Sequence, residues 1–191
     1  PPADICAYYG AEISGYMYGL ERICTYRKGK QTAERKVHRM NEKTRIQIEE
    51  MKRQTIGVEV EMNNITRENA ARIAADYFGT GRYKYTADRN GYYTWSAWDT
   101  EGREWKFQRD VSIAGVDSEK CELVTPILKY EDIPLLQELI RRLRKAKAKS
   151  DATRGCGVHI HIGANGHTAQ TLRNLANIMA SHESLIASAL N

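Results

Sequence analysis

The sequence predicts an α+β fold built on a mainly antiparallel sheet. Two observations carry that reading. The first is strict period-two alternation in residues 56–62 (Ile-Gly-Val-Glu-Val-Glu-Met) and again in residues 157–163 (Gly-Val-His-Ile-His-Ile-Gly). The second is a run of hairpin and turn signals between helical segments, in an order that a doubly wound parallel sheet does not use.

Each element follows from local pattern. Residues 33–54 are highly charged, with Val37, Met40, Ile46, Ile48 and Met51 as scattered apolar positions. They read as an exposed or partner-dependent helix. The first alternating strand starts at Ile56. Thr66 is placed to cap a helix running to about Phe78, with Glu68 in its first turn and Gly79 as its stop. Asn90-Gly91, flanked by Tyr83, Tyr85, Tyr92, Tyr93 and Trp95, is a hairpin signal. A turn at residues 99–102 leads into a strand over residues 103–110. There Trp105, Phe107 and Arg109 alternate with Lys106, Gln108 and Asp110. Residues 121–125 form a further strand stopped by Pro126. Residues 131–149 read as an amphipathic helix with Pro134 in its first turn and a basic C-terminal end. The His-x-His strand follows, and Thr168 caps a last helix to about Leu190.

Composition narrows the class. At 191 residues, the chain is long enough for one sizeable domain, or a domain with a small appendage. The net charge of +5 and pI near 9.0 suit an anionic ligand such as a nucleotide, but are too weak to imply nucleic-acid binding. No apolar run reaches membrane-spanning length, and no signal segment opens the chain. A first residue of Pro leads us to expect a processed chain or a fragment. Cys6, Cys24, Cys121 and Cys156 are scattered. That is not a secreted disulfide framework, so a reducing cytoplasm is expected.

The chemistry lies on the polar sides of the strands. Alternation sends Glu59 and Glu61 to one face of the first strand, and His159 and His161 to one face of the late strand. Asp110, with Ser112 nearby, comes from the 103–110 strand, and Glu122 from the 121–125 strand. Carboxylates of this kind hold Mg²⁺ or Mn²⁺ and position phosphates, and imidazole tilts the set toward Mn²⁺ or a phosphate contact. Each motif alone has an ordinary structural reading: a solvated Glu-x-Glu face, a surface Glu122, an Asp110 that only starts a turn. Their joint occurrence on separate strands is what makes a site.

The runs at residues 56–61, 105–112, 122–126 and 155–161 together resemble the amidoligase family. Those are carboxylate–amine ligases with the glutamine synthetase and glutamate–cysteine ligase fold. The resemblance covers residues from about 56 to the C-terminus. It implies a curved antiparallel sheet with helices on its convex face, and a concave face that binds ATP and Mg²⁺ or Mn²⁺. It implies that Glu59, Glu61 and Glu122 are metal ligands, and that His159 and His161 sit at the metal or the nucleotide phosphates, His159 being counted among the ligands. With Asp110, these form the expected catalytic set. The implied reaction joins a small-molecule or peptide carboxylate to an amine through an acyl phosphate. Lys106 or Arg109 is expected to assist at the phosphate. Lys106 shares the parity of Asp110 and is favoured, although a solvated strand lysine is the plain alternative. The family is expected to continue past Asn191, so the chain is expected either to be a fragment whose parent carries the activity, or to have a site that is incomplete, completed by a partner or by a second copy in a homo-oligomer, or inactive.

Residues 1–54 form a separate Tyr-rich and charged segment, with the catalytic domain over residues 55–191. Cys6 and Cys24 look like halves of degraded Cys-x-x-Cys knuckles. With His38 they supply three of the four ligands a structural zinc needs. Cys121 and Cys156 are expected to be buried, and His167 and His182 to lie on a loop and a helix surface. The aromatic cluster of Tyr92, Tyr93, Trp95, Trp98 and Trp105 is expected to pack against the sheet rather than stack on a base. Two other classes stay open: a metal-dependent hydrolase using the same groups, and a degenerate binding module.

Overall fold

The computed structural model describes residues 41–86, 91–164 and 166–190. The knuckle reading of Cys6, Cys24 and His38 lies outside these residues, as does Asn90 of the hairpin signal. The chain divides into two compact units, one of residues 49–165 and one of residues 1–48 with 166–191.

The 49–165 unit holds a six-stranded, wholly antiparallel sheet. Its strands are β1 (Ile56–Met62), β2 (Tyr83–Tyr85), β3 (Trp95–Trp98), β4 (Glu104–Gln108), β5 (Cys121–Val124) and β6 (Val158–Ile162). The spatial order is β2-β3-β4-β5-β1-β6. The first strand in the chain is therefore an interior strand, with β5 on one side and β6 on the other. Three segments far apart in sequence become neighbours.

One face of the sheet is apolar and carries helix α2 (Arg67–Tyr77) and helix α3 (Ile133–Lys145). Val58, Val60, Met62, Ala97, Trp105, Phe107, Cys121 and Leu123 are buried there. Helix α2 offers Ala70, Ala71, Ala74 and Ala75, all with no exposure, and small side chains let its backbone approach the strands closely. Thr66 caps it as expected, its side chain accepting from the Asn69 amide at 3.2 Å. Gly79, at φ 71°, adopts the left-handed conformation that ends it. Helix α3 buries Leu136, Leu139 and Leu143 at helical spacing and ends on Arg142, Arg144 and Lys145.

Asp99 does more than turn the chain between β3 and β4. It is buried, and accepts from the Glu101 and Arg103 amides, from Arg103 Nε at 2.8 Å and from Trp105 Nε1 at 3.0 Å. Arg103 also reaches Asp132, at the start of α3, at 2.9 Å. Burial opposes ionisation of Asp99, but these donors outweigh it and hold the carboxyl below its usual range.

Several expectations need correction. The hairpin forms, with β2 and β3 paired antiparallel and the Thr86 amide donating to the Thr94 carbonyl at 2.9 Å, but Tyr92 and Tyr93 are exposed outside both strands instead of packing on the sheet. Strand β4 stops at Gln108, so Asp110 lies in the loop beyond it. The apolar side chains of β6 are not core. Val158, Ile160 and Ile162 share the face of Val58 and Val60, yet are 55, 64 and 53% exposed. The reason is position: β6 is an edge strand, and α2 and α3 lie over the other strands.

Outside the sheet, helix α1 (Glu42–Lys52) buries no residue, as its sparse apolar pattern implies. Helix α4 (Ala169–Leu190) starts after Thr168, whose hydroxyl accepts from the Thr171 amide at 3.2 Å. His167 precedes it and His182 lies exposed along it. Among the described residues, no helix is long and apolar enough to cross a membrane.

Candidate active site on the polar sheet face

Alternation alone puts Glu59 and Glu61 on the face of β1 opposite the core, but strand register decides which groups meet. Glu61 pairs with Glu122 of β5, and Glu122 with Gln108 of β4. Glu59 pairs with Val124 of β5 on one side and His159 of β6 on the other, while Gly57 pairs with His161. The expected carboxylates and imidazoles thus converge on one patch from four chain segments.

The contacts are close. One oxygen of Glu59, Oε2, lies 3.1 Å from His159 Nδ1 and 3.4 Å from His161 Nε2. The Gly157 amide donates to Glu61 Oε2 at 2.6 Å. Gln108 Nε2 donates to Glu122 Oε2 at 2.8 Å, and the Ser112 amide to Asp110 Oδ1 at 2.7 Å. Two groups of ligand atoms each fall within 4.8 Å of one another: Glu59, Glu122 and His159; and Glu61, Asp110 and Glu122. Glu122 belongs to both. Asp110 joins the second group despite lying past the strand end, and His161 stands outside both while still touching Glu59.

Charge is poorly compensated here. Among the described residues, no lysine or arginine forms an ion pair with Glu59, Glu61, Asp110 or Glu122; the basic groups in contact are the imidazoles of His159 and His161, both on Glu59. Burial raises the pKa of Glu122, the Gln108 hydrogen bond resists that, and Glu59, Asp110 and Glu61 push it further up. For Glu59 burial also acts upward, but hydrogen bonds and charge from both imidazoles win and its pKa falls. The Glu59 hydrogen bond raises the pKa of His159 against a desolvation effect, with Glu61 and Glu122 adding to the rise. Asp110 is lowered: burial is outweighed by the Ser112 donors, a hydrogen bond with Glu61 and the charge of His159.

Two loops wall one end of the patch. The Ala114 amide donates to the Arg154 carbonyl at 2.8 Å, clamping the 110–116 loop onto the turn before β6. Gly155 makes this possible. It sits at φ 77°, and a side chain there would meet the Ser112 carbonyl at 3.0 Å.

The structure separates the two candidate cations. Arg109 is engaged with Asp117 at 2.6 Å. Lys106 lies on the polar face in register with Val124, one strand further from Glu59. Of the aromatic cluster, Trp105 is fully buried against Phe78, Trp95 packs with Tyr83 and Tyr85, and Trp98 lies on the polar face beneath Arg82. Sequence reading passed over Gln108, although its parity with Lys106 and Asp110 marked it for this face. It also passed over Asn63, which follows Glu59 and Glu61 in alternation, is buried, and contacts Cys156 Sγ at 3.7 Å. The Gly157 amide has no sequence signal, because a backbone donor has no residue type.

A family profile described as "putative amidoligase enzyme" matches residues 52–191. No curated protein and no solved structure matched the chain. The profile covers more than half of the sequence, including every residue of the patch, so the chain belongs to the amidoligase family.

Proposed function

We propose that this amidoligase-family chain joins a carboxylate to an amine with ATP and Mg²⁺ or Mn²⁺, on the polar face of its sheet. One observation carries the reading: four carboxylates and two imidazoles crowd together with no lysine or arginine neutralising them among the described residues. Leaving such a cluster uncompensated costs stability, and an oxygen-rich set of this kind fits a hard divalent cation. Glu59, Glu122 and His159 would hold one ion, and Glu61, Asp110 and Glu122 a second. Bound there, the ions would supply positive charge for the phosphate oxygens.

The remaining roles belong to the chain. A substrate carboxylate oxygen attacks the γ-phosphorus of ATP, the bond to the bridging β–γ oxygen breaks, and ADP leaves. The amine nitrogen then attacks the acyl carbon, gives up a proton, and expels phosphate. The first step brings two anions together, so charge compensation at this face is the main barrier to lower. Lys106, two strands from Glu59 on the same face, would add positive charge, and His161 would donate to a phosphate oxygen. Gln108 and the Gly157 amide hold Glu122 and Glu61 in place. A cytoplasmic setting suits the two described cysteines. Both are free and buried, and burial pushes Cys121 up to about 12.

The test is calorimetric binding of a non-hydrolysable ATP analogue with and without Mg²⁺ or Mn²⁺, on the wild type and on folded Glu59→Ala and His159→Ala variants. We expect metal-dependent binding that weakens at least tenfold in both variants. Metal binding without nucleotide would point instead to a hydrolase. Binding of neither would point to a degenerate module.

A further inference from the structure

The polar face changes sign across the sheet. Register links Lys84, Ser96, Lys106, Val124, Glu59 and His159 in a single cross-strand row, one residue from each strand. The β5–β1–β6 half is the acidic cluster. The β2–β4 half carries Lys84 and Lys106 in that row, with Arg82 two residues before Lys84. Lys84 is exposed and, among the described residues, pairs with no acid. The Arg82 guanidinium lies 5.6 Å from the centre of the Trp98 ring and has no carboxylate partner among the described residues. Among the described residues, Glu104 is the acid on this side. One of its oxygens is taken by the Ser96 hydroxyl at 2.7 Å, and the other lies 4.0 Å from Lys106. Ser96 itself is fully buried, a small floor between the two lysines.

We propose that Arg82, Lys84 and Lys106 form an anionic subsite for the carboxylate substrate, and that this substrate is an extended acidic peptide laid across the strands. The inference rests on the ligase reading above and names its substrate class. Spacing supplies the argument. Lys106 stands two strands from Glu59, about 10 Å, and Lys84 four strands away, about 19 Å. A free dicarboxylic amino acid, with few bonds between its carboxylates, cannot reach from the Glu59 end to Lys84. An extended peptide advances about 3.3–3.6 Å per residue, so an acidic side chain roughly three residues from the reacting carboxylate meets Lys106. One roughly five or six residues away meets Lys84 and Arg82. The Arg82 guanidinium stays within cation–π range of the Trp98 ring, at 5.6 Å, which keeps it on this face within reach of a carboxylate. Lysine on an edge strand also guards against strand pairing, which accounts for Lys84 alone. It does not account for Lys106 on an interior strand or for Arg82.

The experiment is fluorescence anisotropy on the 191-residue chain with Mn²⁺. It compares a labelled hexapeptide containing three glutamates with the same peptide carrying glutamines. The expected result is at least tenfold tighter binding of the acidic peptide. That preference should be lost in the Arg82→Ala/Lys84→Ala double variant and kept in Lys84→Arg, with ATP-analogue binding unchanged in both. Equal binding of the two peptides, or a preference that survives the double variant, would overturn the subsite while leaving the ligase reading intact. Displacement of the peptide by a short oligonucleotide at lower concentration would assign the patch to nucleic acid and overturn it as well. Selective peptide binding in a chain that fails to bind ATP with metal would overturn the ligase reading alone.

Discussion

Strands β1 and β6 carry nearly the same sequence pattern and lie side by side, yet they do opposite work. Val58 and Val60 on β1 are each 8% exposed, whereas their register partners Ile160 and Val158 on β6 are 64% and 55% exposed. The polar sides differ too: Glu61 is 5% exposed, while His159 and His161 are open. Alternation selects the face on which a side chain stands. What covers that face is set by the strand's place in the sheet. The interior strand provides a buried carboxylate, Glu61, and a partly buried one, Glu59, whereas the edge strand provides two solvent-exposed imidazoles.

The sharpest way to break this comparison is to put the same charge into both strands. Val60→Asp buries an unpaired carboxylate in the core. It should cost about 4 kcal/mol or more, enough to unfold a marginal domain in urea titration. Val158→Asp, at its half-exposed register partner, should leave the urea midpoint nearly unchanged. Equal destabilisation by the two would show that β6 is as covered as β1.

A smaller effect separates the polar sides. A cation needs His159 neutral and Glu122 ionised, and both are held above their ordinary pKa values. Protons therefore compete with metal up to a higher pH than usual for these groups. Mn²⁺ affinity measured by electron paramagnetic resonance should fall as pH drops from 8 to 6, by up to about tenfold per unit where one proton is displaced. His159→Ala should bind more weakly at pH 8 and lose most of this slope. An unaltered slope would remove His159 from the ligand set.

The smallest expected effect concerns the metal-free protein. Because the Glu122 pKa is raised in the fold, the ionised form opposes folding. That stability is present below the unfolded value and lost as pH rises through the folded one. Glu59 and Asp110, both lowered, contribute in the opposite sense, and their stability is lost only at lower pH. Glu122→Gln should therefore raise the melting temperature of the metal-free protein at neutral pH by a few degrees and weaken metal binding. A fall in melting temperature would mean that the Gln108–Glu122 hydrogen bond outweighs the repulsion.

Much of this architecture was legible in local pattern. The bounds of β1, the Thr66 cap, the Gly79 stop, the leucine spacing of α3 and the sidedness of Glu59, Glu61, His159 and His161 depend on residues within a few positions of one another. Periodicity and capping report such relations directly. Lys106 could be preferred over Arg109 for the same reason, since parity is local. Asp110 was legible as a candidate but not as a loop residue, because β4 ends where Tyr92 meets Arg109 through a backbone contact from a distant turn.

What the sequence by itself determined, then, is which residues alternate, where helices start and stop, and which polar groups face away from the core. These follow from backbone geometry that repeats every two or 3.6 residues. Only the tertiary structure decided that β1 lies between β5 and β6, that Glu122 is shared by two clusters, that Gly157 offers its amide to Glu61, and that a line of cations runs across the sheet toward Glu59. Those are matters of register between strands up to a hundred residues apart. Register is chosen by the whole core at once, and a one-residue slip would turn every one of these groups to the opposite face.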